Sequence, residues 1–76
     1  MLDVTILSNV KAVFKGKAES VIVPGDTGVF EIMSYHKRVL SRLLKGVIDV
    51  DGQEFPIARG VIKVDKNHVM IVVEEE

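Results

Sequence analysis

His36, His68 and the carboxylates Asp49, Asp51 and Glu54 are the side chains of this sequence with the chemistry of a base, a metal ligand or a general acid. Histidine titrates near neutrality and is a common metal ligand, and paired carboxylates serve acid–base catalysis. Neither set is built for that work. No cysteine accompanies the histidines, His68 lies beside a turn, and alternation puts Asp49 and Asp51 on an outer face with no nucleophile nearby in sequence. Gly25-Asp26-Thr27-Gly28 has the glycines of a phosphate loop but lacks the Gly-Lys-Ser/Thr ending. A strand follows it where a P-loop needs a helix N-terminus, so it reads as a turn. Lys37, Arg38, Arg42 and Lys45 gather four of the ten basic residues into one short stretch. The simplest reading is a solvated face, and the functional one is a patch for acidic groups of a partner or for lipid headgroups. The expectation is no catalytic set, no metal site and no cofactor.

Composition narrows the classes further. Seventy-six residues make one small domain, expected over residues 1–76, whose marginal stability a partner would raise by mass action. An apolar share of 47% suits a packed core and argues against disorder. A net charge of -1 provides no general attraction to nucleic acid, and no aromatic-plus-basic stacking platform is present. The first residues, Met1 to Thr5, carry neither a basic nor an apolar leader region, and runs such as Val69 to Val73 are too short to span a bilayer. Membrane association is therefore expected only through partners.

The elements that would position any surface site are mostly period two. Leu2, Val4 and Ile6 alternate with Asp3 and Thr5, as in a half-buried strand. Val69, Ile71 and Val73 share one face and Met70 and Val72 the other, which predicts a central or covered strand. Asp51-Gly52 and Lys66-Asn67 sit between such runs and predict hairpins. Pro56 should lie at an edge or where no ladder bond is needed. The fold expected is all-β, a small antiparallel β-sandwich or flattened barrel. Residues 34–45 break the pattern: Val39, Leu40, Leu43 and Leu44 have helical spacing, Ser34 could cap the start and Gly46 the end.

The order of several motifs resembles the epsilon subunit of F-type ATP synthases. Leu2-Asp3-Val4 opens the chain, Phe14-Lys15-Gly16 forms an aromatic-x-Gly corner, and Glu19 leads into Val21-Ile22-Val23-Pro24-Gly25. Gly28, Phe30 and His36 follow in the family's order. The resemblance covers essentially the whole chain. It implies a β-sandwich that packs on the gamma subunit and joins the central stalk to the membrane rotor ring. The resemblance thus implies a non-catalytic rotor subunit of a proton-translocating synthase, peripheral on the cytoplasmic face of the membrane or its organellar equivalent. Position by position it places Ile6, His36, Leu40 and Ser41 toward the gamma subunit, and Asp26, Thr27 and Val29 toward the ring.

The sequence also departs from that pattern. Where the family has a Pro-Gly-His-Ala-Pro loop and a short strand, this chain keeps the histidine and lacks both prolines, which leaves a helix over 34–45 open; loop plus strand is favoured. Ala58-Arg59-Gly60 stands where Ser-Gly-Gly is common. The C-terminal helical hairpin typical of the family has no counterpart before Glu76, so self-inhibition and nucleotide binding are not expected to carry over. The alternative is a free-standing β-sandwich binding module that shares only turn chemistry with the family, and a more distant one is a hollow barrel carrying a small ligand.

Overall fold

A computed structural model describes residues 1–76. The chain forms eight strands and no helix: β1 (Leu2–Ser8), β2 (Ala12–Ala18), β3 (Ser20–Gly25), β4 (Gly28–Met33), β5 (Val39–Leu43), β6 (Gly46–Val50), β7 (Gln53–Asp65) and β8 (His68–Glu75). One layer runs β2-β1-β8-β7-β5, and the other pairs β4, β3 and β6 with the first half of β7. The 13-residue β7 therefore belongs to both layers. Alternate residues face inward, and Val4, Ile6, Ile62, Ile71, Val21 and Ile48 are fully or almost fully shielded in one continuous core. Burying a side chain of this kind contributes roughly 1.5–3 kcal/mol. Phe14 and Phe55 close one side of it in an edge-to-face pair, 5.6 Å between centroids.

Both predicted hairpins form. Asp51 and Gly52 have φ of 50° and 89°, and Lys66 and Asn67 have φ of 50° and 65°, as a two-residue turn matched to strand twist requires. In the first hairpin the closing pair is Val50↔Gln53, and alternation from there makes Val47↔Pro56 a pair without hydrogen bonds. Pro56 thus removes no ladder bond. One pairing departs from the antiparallel expectation: β1 and β8 run parallel, from Asp3↔His68 to Ser8↔Val73. β8 is central between β1 and β7, as its two apolar faces predicted.

The helix left open over 34–45 does not form. β5 pairs residue for residue with β7, from Val39↔Val64 to Leu43↔Gly60. Val39 and Leu43 point inward, whereas Leu40 and Leu44 are 76% and 52% exposed. Residues four apart share a face in a strand as well as in a helix, so that spacing fits both. Gly46 opens β6 instead of capping a helix.

Candidate interaction surface

The outer face of the larger layer carries apolar side chains in register. Val61 lies opposite Val72, and Val72 opposite Leu7, in one row across β7, β8 and β1. In the next row Lys63 is opposite both Leu40 and Met70, which flank it. Val61 and Val72 are about half exposed. Side chains on one face are brought together this way because strand residues two apart point the same way. The period-two pattern of β8 already marked Met70 and Val72. What sequence reasoning missed was their alignment with Leu7, Val61 and Leu40, because register joins residues far apart in the chain.

The residues expected to meet the gamma subunit are split by this geometry. Leu40 is on the outer face. Ser41 points the other way and shares the inner row Ser41–Ile62–Ile71–Ile6. Ile6 is 0% exposed in the core, so its side chain has no surface to offer a partner. That expectation is corrected: alternation assigns Ile6 to packing. Ser41 is half-buried, and its hydroxyl donates to the Arg42 carbonyl at 3.1 Å.

His36 lies in the turn between β4 and β5. Its Nδ1 is 2.8 Å from the Lys37 carbonyl oxygen, and since a carbonyl only accepts, Nδ1 is the donor in this contact. The same turn is pinned by Asn67, whose side-chain oxygen accepts the Tyr35 N–H at 2.7 Å. Tyr35, at φ 65° and 90% exposed, stands beside His36. Nothing in the sequence singled it out.

Asp26 and Thr27 form the exposed tip between β3 and β4, and Val29 follows at 72% exposure. Gly28 there has φ 134°. The Phe30 ring leaves no room at Gly25, where an added Cβ would lie 2.6 Å from it. Gly25 is also the bridge to β5, opposite Leu43.

Five ion pairs engage half of the basic residues, and three of the five lie in the stretch over 37–45. Arg38 is 3.7 Å from Asp65, Arg42 3.9 Å from Asp26 and Lys45 2.9 Å from Glu76. The basic stretch over 37–45 is thus mostly neutralised by the chain's own acids, which favours the solvated reading over a headgroup patch. Lys17 holds the Asp3 carboxyl below its ordinary range through a 2.6 Å hydrogen bond, and Arg59 does the same for Glu74 at 2.8 Å. The carboxylates read as solvated have structural partners: Asp51 accepts the N–H groups of Glu19 and Ser20, and Asp49 that of Gly52. No group of three metal-ligating side chains occurs.

The comparisons with known proteins agree with this architecture. Its fold is similar to a chain in the mitochondrial ATP synthase central stalk/c-ring assembly of Tetrahymena thermophila, with a TM-score of 0.80 and 19% identity over 97% of this chain and 63% of that one. A chain of the Euglena gracilis mitochondrial ATP synthase gives 0.88 and 17%, covering 97% and 51%. Among curated sequences, the ATP synthase epsilon chain of Sulfurimonas denitrificans is 31% identical, over 96% of this chain and 60% of its own length. That of Protochlamydia amoebophila is 36% identical, over 97% and 54%. The chain thus spans little more than half the length of these relatives. Residues 1–75 match the family model described as the ATP synthase delta/epsilon chain beta-sandwich domain, and it is to this family that the chain belongs.

Proposed function

We propose that the chain is a non-catalytic rotor component of an F-type, proton-translocating ATP synthase, docking on the gamma subunit and linking it to the membrane ring. It would sit on the cytoplasmic side of the membrane, or the organellar equivalent, held there by its partners. The observation that carries this, beyond family membership, is the outer apolar row of Leu7, Val72 and Val61 with Leu40 beside it. A small domain gains stability by covering such a face with a partner. Leu40 is the proposed anchor for the gamma subunit, with His36 and Ser41 at the margin. Asp26 and Thr27, at the turn between β3 and β4, and Val29 just inside β4 are the proposed ring contacts.

Retention of the chain by an immobilised gamma subunit tests this directly. Leu40→Ala should weaken retention and Glu54→Ala, on the opposite side of the domain, should not. Equal losses from the two variants, or no retention of the unmodified chain, would overturn the assignment.

A further inference from the structure

The sheet path ends at two strands, β2 and β4. Hydrogen-bond direction tells which of their backbone groups are free. The Ser20 carbonyl accepts the Asp51 N–H at 3.2 Å and the Pro24 carbonyl accepts the Leu44 N–H at 2.8 Å, so both point away from β4. A residue's N–H and C=O point the same way in an antiparallel ladder. The pairs Ser20↔Met33, Ile22↔Glu31 and Pro24↔Val29 are therefore the ones without hydrogen bonds. The N–H groups of Val29, Glu31 and Met33, and the carbonyls of the first two, project from the edge; the Met33 carbonyl is taken by the His36 N–H at 3.1 Å.

On the other edge, the Asp3 N–H donates to the Asn67 carbonyl at 2.8 Å, away from β2. By the same alternation the free backbone groups there belong to Lys15 and Lys17, partners of Thr5 and Asp3. Lysines on an open edge are a common guard against strand addition, and here the guard is chiefly Lys15, since Lys17 reaches back to Asp3 on β1. β4, with the sequence GVFEIM, has no lysine, arginine or proline. Its edge residues Val29 and Met33 are 72% and 56% exposed. Glu31 is its single charge, and the carboxylate is drawn back over β3 by a hydrogen bond from the Ser20 hydroxyl.

We infer that the β4 edge is a strand-addition site, which an extended segment of another central-stalk polypeptide fills by pairing with Val29, Glu31 and Met33. Main-chain bonds give such a contact its affinity and alternate side chains its specificity. The incoming strand would place a basic residue opposite Glu31 between two apolar ones. A second copy of this chain is a poor occupant: the antiparallel register with the most bonds sets Glu31 against Glu31, and like charges directly opposite are destabilising. The inference rests on the rotor function proposed above, since the stalk provides the partner.

Amide hydrogen exchange on the unmodified chain, free and bound to a reconstituted gamma-subunit and ring stalk, tests it. Binding should slow exchange at Val29 and Glu31 by at least about tenfold and leave Lys15 and Lys17 unchanged. Glu31→Lys gives β4 the guard that β2 has, and should abolish that protection while the free domain keeps its stability. Retention on the stalk without protection at Val29 and Glu31 overturns the strand-addition site and leaves the rotor function standing. Failure of the stalk to retain the chain overturns both.

Discussion

Asp51 and Ser20 hold each other through two reciprocal bonds: the Asp51 carboxylate accepts the Ser20 N–H at 2.9 Å, and the Ser20 carbonyl accepts the Asp51 N–H at 3.2 Å. The β6–β7 turn is thereby fastened to the bend between β2 and β3. Replacing Asp51 with alanine removes the carboxylate and also places alanine at a φ of 50°. Asp51→Ala should lower the free energy of unfolding by about 1–2 kcal/mol, as an exposed charge-assisted bond and a strained φ imply. Glu54→Ala, with no such bond, should stay within about 0.5 kcal/mol. Urea midpoints of the two variants decide it.

Gly60 and Gly28 should fail for different reasons. A Cβ at Gly60 would lie 2.7 Å from the Val72 carbonyl oxygen, so Gly60→Ala forces β7 from β8 and should cost about 1–3 kcal/mol. A Cβ at Gly28 meets nothing within 4 Å, and Gly28→Val should cost a comparable 1–3 kcal/mol, roughly, through its φ alone. Gly28→Ala should lose nearly as much as Gly28→Val, because φ 134° lies beyond the left-handed region that other residues tolerate, so the loss at Gly28 does not depend on side-chain size. Thermal melts of the three variants separate strain from collision.

Leu40 and Ile6 should divide binding from stability. Leu40→Ala removes an exposed side chain, so the fold should be almost unchanged while retention by the gamma subunit weakens by about 1–3 kcal/mol, the usual range for a buried interface anchor. Ile6→Ala opens a cavity in the core and should destabilise the domain by about 2–5 kcal/mol. Paired melting and retention measurements would expose the opposite pattern if Ile6 were the contact.

The Asp3–Lys17 pair makes a pH prediction of definite sign. The carboxyl is held below its ordinary 3.8, first by the hydrogen bond from Lys17 and then by its charge. A depressed acid stabilises the fold above its ordinary value, and that contribution fades as pH falls through the lowered one. Lys17→Met should move the Asp3 titration up toward 3.8, as followed by the carboxyl carbon chemical shift. An unmoved midpoint would mean that the pair does not persist in solution.

Local pattern carried much of this fold. Asp51-Gly52 and Lys66-Asn67 announced their turns, because few residues other than glycine, asparagine and aspartate adopt positive φ at low cost. The strand at Val39–Leu43 was obscured by a spacing of four, which fits both periods. Nothing short-range could show that β1 runs parallel to β8, or that Asp51 caps Glu19 and Ser20, since each relation joins residues more than thirty positions apart. The candidate site was legible in part for the same reason. Leu40, Met70 and Val72 stand out as apolar residues on outward positions, while their union with Leu7 and Val61 is a fact of register. The assignment of Ile6 to a partner came from resemblance, against its own inward place in the alternation.

The parallel pairing of β1 with β8 also governs how the domain is made. β1 is an interior strand, but one of its two neighbours is the eighth strand, which leaves the ribosome more than sixty residues later. Until then the hairpin of β1 and β2 has an open flank and an uncovered apolar side, a condition in which nascent β-proteins associate wrongly. Such a long closure also slows folding relative to a chain of neighbouring hairpins. The nascent chain therefore stays vulnerable until β8 has emerged and paired with β1.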